Sequence, residues 1–500
     1  MLSFAVHDSG NLAPRTDLSG AYLTGSDDVP LRAEITFKDG LIQCKKRSAG
    51  PAGLVLLWPV EGVGEVMVQT VRLCERDRPY ILEVELARGR LMRICQKIED
   101  WGLINYEGTE ALNAQVARAR DLLVKALQAD TAAEASSVGD QALALAVQAA
   151  EALSQFHASV FLERRRQAAG FAKRVLGCSV DLDQSVDLVH KRLSEAVDFV
   201  TVPIIWRDIE PSEQTFNWKP LDTWVEALTK LHIPIKASAL LSFHERNIPD
   251  WLYIWEHDFD TIRDLAFEHA RRVINRYGRY IQVWDVISGI HATNCFTFGF
   301  EQLMELTRMA AALTKQAAPR SLAIVNIIAP WGEYYARNQR TIPPLLYAEM
   351  AVQSGVNFDA LGLQFCFGAP ADGTHVRDMF QVSSLIDAFA KPGKPLHITG
   401  VQVPSHTDAA ADRQGSARPS DGGRWHGAWS EEVQAQWLDR FLEVALSKPF
   451  VETVSWNGLT DHQDHPVPYG GLLNSGLAPK QAYLRLQAFR SHLRSGDKTG

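Results

Sequence analysis

The segment Ile281-Gln-Val-Trp-Asp-Val-Ile-Ser-Gly289 decides the fold. It is a short apolar run, too brief for a helix and rich in β-branched and aromatic residues, so it reads as a buried strand. An amphipathic helical pattern over Asp260–Tyr277 leads into it, and another over Phe300–Ala317 follows. Outward in both directions the same unit repeats. Strands are predicted over Arg174–Val180, Phe199–Ile205, Pro234–Leu240, Ile281–Ile287, Ser321–Ile328, Ala360–Phe365, Pro395–Val401 and Val451–Trp456, with further helices over Ser430–Lys448 and Pro479–Arg494. Eight strand–helix units predict an α/β fold, a (β/α)8 TIM barrel over 169–497. A doubly wound sheet would need a glycine-rich phosphate turn after an early strand, and Val175-Leu-Gly-Cys178 lacks that spacing.

Upstream the texture changes twice. Residues 1–105 hold short alternating runs: Leu31-Arg-Ala-Glu-Ile-Thr-Phe37, an Asp39-Gly40 turn, Leu41-Ile-Gln-Cys44, then Gly53–Trp58, Glu65–Leu73 and Tyr80–Leu86. These predict a small β-rich, sandwich-like domain, more plausibly for docking than for sugar binding because no exposed aromatic row is evident. Residues 106–168 carry helical spacing, with Leu112, Val116, Ala119, Leu123 and Leu127 on one face and Ala149, Leu153, Phe156 and Val160 on another. The small residues of Thr131–Gly139 separate the two, giving a helical hairpin as connector. Arg164-Arg165-Arg166 closes the second helix, where cations complement the helix dipole.

The chain has 500 residues, 46 % hydrophobic and 22 % charged, with a net charge of -8. That is a globular composition of two or three domains, and it provides no basic patch for nucleic acid. No signal-like leader and no apolar run of membrane-spanning length is read, so no membrane partner is expected. Six cysteines without CxxC spacing argue against a zinc knuckle or a disulfide framework and lead to the expectation of a cytoplasmic protein. No cofactor is called for, and an oligomer is compatible with everything above.

In such a barrel, chemistry sits beyond the C-terminal ends of the strands. Strand two runs into Trp206-Arg-Asp-Ile-Glu-Pro211 and Phe216-Asn-Trp218; strand three into His244-Glu-Arg-Asn-Ile-Pro-Asp-Trp-Leu252. Strand four ends Trp284-Asp-Val-Ile-Ser-Gly289, strand six Leu361-Gly-Leu-Gln364, and strand seven Leu396-His-Ile-Thr-Gly400. Strand eight gives Trp456-Asn-Gly-Leu-Thr-Asp461, with Pro479-Lys-Gln-Ala-Tyr483 shortly after. This ordered set resembles the family 10 glycoside hydrolases, the endo-β-1,4-xylanases.

The resemblance implies a glycan or oligosaccharide as partner and a retaining mechanism, which needs two carboxyl groups about 5–5.5 Å apart. By the same resemblance, the acid/base glutamate ends strand four and the nucleophile ends strand seven, where this chain has Gly289 and Gly400. The family's sugar-binding polar positions read Thr201, Val202, Ile205, Leu240, Ser288 and Phe365 or Cys366. The expectation is a carbohydrate-active barrel without the family's hydrolysis.

Two other readings stand beside it. One is a glycosidase with a relocated carboxylate pair drawn from Glu333, Asp461 and Glu245, with burial driving the two pKa values apart. Each has a plain structural account: Glu333 opens a helix, Asp461 matches a commonly structural position, and Glu245 makes a surface ion pair. Asp285 and Glu210 read as scaffold carboxylates. The binding candidates are His244, His291, Gln364, Trp331, His426, Trp429 and Trp456, with Trp425 completing an aromatic platform whose alternative is ordinary packing. The other reading is a non-catalytic scaffold. Asp461-His462-Gln-Asp464-His465 invites a metal, but one short segment cannot complete a coordination shell, so no metal site is assigned. The Ser405–Gly423 stretch, rich in Gly, Ser and Asp, fits a lid.

Overall fold

Eight parallel strands close on themselves in sequence order in the computed structural model, which describes residues 1–495 except 9, 169–170, 408–421, 463–464 and 466. Strands one to eight are Leu176–Ser179, Phe199–Pro203, Ile235–Ser238, Ile281–Ser288, Leu322–Ile327, Ala360–Cys366, Leu396–Gln402 and Val451–Trp456. Each pairs in parallel with its neighbours, and strand one pairs with strand eight to close the ring. The fold is a (β/α)8 TIM barrel, with the predicted strands in place to within a few residues. Strand seven is buried along its whole length, as a parallel strand covered on both faces must be.

The N-terminal region forms a two-stranded sheet, His7–Asp8 with Asn11–Leu12, and two larger ones. One has the order Tyr80–Ile81, Leu2–Ala5, Leu41–Lys46, Ala33–Lys38; the other runs Arg424–Trp425, Gly64–Gln69, Gly53–Val60, Tyr22–Thr24, Pro30–Leu31. The second therefore takes its edge strand from the loop after barrel strand seven. Three helices, Leu82–Asp100, Glu110–Gln128 and Ala132–Ala168, link the sheets to the barrel.

Two expectations are corrected here. The run Tyr80–Leu86 is strand only at Tyr80–Ile81, and the helical layer begins at Leu82, inside the span read as β-rich. Its alternation of apolar and acidic residues imitates a strand because this helix is buried on more than one side: Glu83 and Glu85 are covered along with Leu82, Val84 and Leu86. The small residues of Thr131–Gly139 do not separate two helices either. Helix Ala132–Ala168 runs through them, and the chain turns at Ala129–Thr131. They are small because helices meet there: a Cβ on Gly139 would lie 3.0 Å from Val84 of the first helix.

The seam with the barrel is dense. Arg90 of the first helix forms a two-bond ion pair with Asp378 (3.1 and 2.5 Å), both side chains buried. Asp387 accepts a hydrogen bond from the Trp101 indole (2.8 Å) and pairs with Lys97 (3.3 Å) and Lys448 (2.8 Å). Arg165 donates to the carbonyls of Leu446, Lys448 and Val451, so the basic helix end is fixed to the barrel rather than merely solvated. Backbone bonds from Met67 to Val376 (2.8 Å) and from His426 to Val63 (2.5 Å) stitch sheet to barrel loops.

Candidate binding site at the barrel mouth

The C-terminal ends of strands one, seven and eight carry a chain of polar side chains. Ser179 Oγ donates to Asn457 Oδ1 (3.0 Å) and accepts from the Gly458 N–H (2.7 Å). Asn457 Nδ2 donates to Gln402 Oε1 (3.4 Å), and Gln402 Nε2 points at His465 Nδ1 (3.5 Å). His465 Nε2 lies 3.1 Å from Asp181 Oδ1. With Nδ1 facing an amide donor, the neutral tautomer places its proton on Nε2 and donates it to Asp181. The second oxygen of Asp181 is buried with no partner, and Gln364, at the adjoining end of strand six, is half-buried. Amides, a hydroxyl and a carboxylate along one wall supply both donors and acceptors, the chemistry that recognises hydroxyl-rich ligands.

The ends of strands three, four and five are different. Gly289 has φ +67°, and a Cβ there would lie 2.6 Å from Ile328 Cδ1 and 3.3 Å from Thr293 Oγ1. Ile328 thus fills the space into which a side chain at 289 would project. Leu240 after strand three and Phe365 on strand six are 1 % and 0 % exposed, and Ile205 after strand two is half-buried. Just below, Asn326 Nδ2 donates to Ser288 Oγ (2.8 Å) and Thr399 Oγ1 donates to Asn326 Oδ1 (2.5 Å), so these polar groups satisfy one another. Gly400, at the end of strand seven, borders the polar wall: a Cβ there would find Gln364 at 3.4 Å and Asn457 at 3.7 Å, ordinary contact distances.

The sequence profile of glycosyl hydrolase family 10 matches residues 193–488. The chain belongs to glycosyl hydrolase family 10. Among relatives, it is similar to endo-1,4-beta-xylanase A of Fusarium oxysporum f. sp. lycopersici, 22 % identical over 266 residues, covering 50 % of this chain and 78 % of that protein. It is also similar to endo-1,4-beta-xylanase B of Thermotoga neapolitana, 21 % identical over 266 residues, covering 51 % and 67 %. Among solved structures, native xylanase 10B from Thermotoga maritima matches with a TM-score of 0.47 at 15 % identity, covering 67 % of this chain and 98 % of that one.

Within this family 10 barrel, the three candidate carboxylates are held apart by separate partners. Glu333 opens the short helix Glu333–Arg337 and is 1 % exposed; Arg377 and the Gly373 N–H hydrogen-bond its two oxygens, His375 lies 3.9 Å away, and Arg377 also reaches the Tyr22 hydroxyl (3.1 Å). Burial alone would push the Glu333 carboxyl up, but Arg377, with His375 and the Gly373 N–H, holds it down at about 2. A carboxylate held ionised in this way has no proton to give, and both its oxygens are engaged by Arg377 and the Gly373 N–H. Asp461 is bonded to Lys480 Nζ (2.6 Å) and to the Gly471 N–H (2.9 Å), and Lys480 in turn binds Ser405 and the Tyr469 carbonyl. Glu245 is exposed on the strand-three loop, where its carbonyl accepts from Arg207 (2.8 Å). Two of the three are the anions of structural ion pairs, and the third is solvated.

The binding candidates divide similarly. Gln364 lines the mouth. His244 is half-buried, its Nδ1 accepting from the Arg246 N–H (3.1 Å), and burial lowers its pKa. His291 is buried, stacked on Tyr347 (5.0 Å) with Nε2 3.1 Å from the Ile328 carbonyl, and burial takes it down to about 4. It is a neutral core histidine. His426 is turned to Glu151 (2.7 Å) of the long helix, in the seam. Trp429 and Trp456 are buried, their indoles donating to the carbonyls of Gly423 and Gly470, and Trp425 is buried with its indole on Glu151. Trp331 packs between Phe365, Phe367 and the Arg377 guanidinium. Trp425, Trp429 and Trp456 are thus interior packing, whereas Trp331 is half-buried.

The acidic histidine run after strand eight splits as well, His462 reaching Asp183 (3.3 Å) while His465 reaches Asp181; Asp464 lies outside the described residues, as does most of the lid stretch. Among the described residues no group of three or more His, Cys, Asp or Glu side chains is arranged to hold a metal. Asp285 pairs with buried Lys236 (3.0 Å), and Glu210 accepts from the Trp206 indole (3.0 Å). Sequence reading passed over Ser179, Asp181, Gln402 and Asn457. The signal was available for Asp181, an acidic residue directly after the first barrel strand, where the rule for strand ends applies as it does to strand four.

Proposed function

We propose that this family 10 barrel binds an oligosaccharide at the polar wall formed by strands one, six, seven and eight, and does not hydrolyse it by the family's two-glutamate mechanism. The observation that carries the reading is at Gly289. By family resemblance this is the acid/base position, and here the backbone is left-handed while Ile328 occupies the space a side chain would need. With glycine also at 400, neither proton donor nor nucleophile is supplied, and the alternative carboxylates Glu333 and Asp461 are committed to Arg377 and Lys480. The unpartnered oxygen of Asp181 and the half-buried Gln364 amide support retained recognition of hydroxyl groups. Six free cysteines, two of them buried, support a reducing compartment, so the ligand in this reading is a short oligosaccharide within the cell rather than polymeric xylan.

The test is calorimetric titration of the purified chain with xylo-, gluco- and manno-oligosaccharides, beside chromatography of the same mixtures for shorter products. Binding without cleavage, weakened by Gln364→Ala and Asp181→Asn, is the expected outcome. Cleavage by the unmodified chain would overturn the non-hydrolytic reading, and its loss in Glu333→Gln or Asp461→Asn would assign it to a relocated carboxylate pair. The absence of binding across the panel would favour the scaffold reading, which the welded seam and the buried apolar positions Leu240 and Phe365 also support.

A further inference from the structure

The four outermost strands of the two larger N-terminal sheets are unequal. Tyr80–Ile81, Pro30–Leu31 and Arg424–Trp425 are two residues each, too short to template another chain, and one of them begins with proline. Ala33–Lys38 is six residues long and pairs with Leu41–Lys46 through six consecutive partners without a bulge. Among the described residues no strand pairs with its outer flank, which is an edge of the sheet.

The hairpin fixes which backbone groups that edge presents. Asp39 and Gly40, at φ +50° and +78°, form a two-residue primed turn that closes on the pair Lys38–Leu41. Antiparallel hydrogen bonding alternates from that pair, so Lys38, Thr36 and Glu34 spend their N–H and C=O groups on Leu41–Lys46, while Phe37, Ile35 and Ala33 direct theirs outward. The side chains alternate in the same phase: Glu34, Thr36 and Lys38 are exposed, and Ala33, Ile35 and Phe37 are half-buried. No charged residue points inward along this strand and no proline interrupts it, the usual devices that blunt an edge.

We propose that Ala33–Lys38 pairs antiparallel with the same strand of a second copy of this chain, making one eight-stranded sheet across a two-fold axis at Thr36. The sequence is self-complementary in this register. Glu34 faces Lys38 of the other copy twice, Ile35 faces Phe37 twice on the half-buried side, and Thr36 faces itself. The outward groups of Ile35 and Phe37 then form the hydrogen-bonded pairs. Sliding the register by two residues in one direction sets Lys38 against Arg32, a like-charge pair, so charge selects this pairing over that neighbour. The contact is isologous, which closes the assembly at two copies. It is also narrow, so association is weak and reversible.

Sedimentation velocity of the full chain over a concentration series tests this. A reversible shift from the 55.6 kDa chain toward twice that mass is expected. Glu34→Lys and Lys38→Glu each place two like-charge pairs across the axis and weaken association about tenfold. Both side chains lie on the exposed face. Lys38 faces Leu41 in its own hairpin, so Lys38→Glu leaves the fold intact, whereas Glu34 faces Lys45, so Glu34→Lys also sets two cations opposite each other within the hairpin and its fold is checked by the far-ultraviolet spectrum. An equimolar mixture of the two variants re-forms both opposite-charge pairs and recovers a dimer, and the double variant does the same alone. Ile35→Pro removes an outward N–H without touching the hairpin's own bonds, and it abolishes the dimer with the far-ultraviolet spectrum unchanged. A chain that stays monomeric throughout the series, or a dimer that ignores these variants, overturns the proposal.

Discussion

Gly289 and Gly400 are the same residue at the ends of two strands of one barrel, and their surroundings have diverged. At Gly289 the backbone sits in the left-handed region and Ile328 lies where a Cβ would project; at Gly400 a Cβ would meet its neighbours at ordinary distances, 3.4 Å and beyond. The contrast extends around the mouth. On the strand-four and strand-five side, Ile328 and the buried Glu333–Arg377 pair surround the position, whereas on the side of strands seven, eight and one runs a polar chain from Ser179 to Asp181. A missing side chain at 400 is a local change. The one at 289 has been built over.

The largest expected effect comes from the anchor on the closed side. Glu333→Gln leaves the Arg377 guanidinium buried without its counter-charge, and removing one partner of a buried pair costs about 3–5 kcal/mol, measurable by urea denaturation. The same pair makes the protein acid-sensitive. With the folded carboxyl held at about 2 against an ordinary 4.5, the stabilisation is fully present above pH 4.5 and disappears as pH falls through 2. Glu333→Gln flattens the acid limb of a stability–pH curve if this assignment is right. An unchanged acid limb would mean that the closed side is held by packing alone.

Gly289→Ala comes next. An alanine in a left-handed conformation costs about 1–2 kcal/mol, and displacing Ile328 adds roughly another 1–3 kcal/mol. The double variant Gly289→Ala/Ile328→Ala separates the two: recovery of part of the loss assigns that part to overlap, and no recovery assigns it all to backbone conformation.

How much of this contrast was legible beforehand depends on the range of the forces involved. The barrel strands were legible because each is an apolar run bounded by turns, a local property. Gly289 and Gly400 were legible as glycines at strand ends, but not as different glycines, since that difference lies in Ile328, just past the end of the neighbouring strand. Glu333 in Trp-Gly-Glu-Tyr-Tyr was legible as a residue opening a helix but not as half of a buried ion pair, because its partner Arg377 comes from another loop and itself reaches Tyr22, 355 residues away. The helix at Leu82 was hidden by its acidic residues, whose burial depends on packing between sheet and helices. Local periodicity survives translation into structure, whereas the pairing of charges across elements does not.

The open side has its own anchor, with the opposite pH dependence. His426 hydrogen-bonds Glu151, which raises its pKa above 6.5. The stabilisation is complete below pH 6.5 and lost as pH rises through the raised value. Because the imidazole is partly exposed, His426→Ala changes stability by under about 1 kcal/mol. A stability–pH curve that loses its neutral-side slope in this variant ties the strand-seven loop to the long helix Ala132–Ala168.

Gly400→Ala carries the smallest effect, and it is the sharpest use of the comparison. The identical substitution that costs several kcal/mol at 289 is expected to shift stability by no more than about 1 kcal/mol at 400, in either direction. The new methyl enters van der Waals contact with Gln364 and Asn457, and alanine reduces the freedom of the unfolded chain. Its consequence appears in ligand binding instead, because it narrows the polar wall beside Gln364. Unchanged folding with weakened oligosaccharide binding in the calorimetric titration places the ligand against strand seven. Unchanged folding with unchanged binding moves the ligand away from Gly400 toward Asp181 and His465, at the far end of the same polar chain.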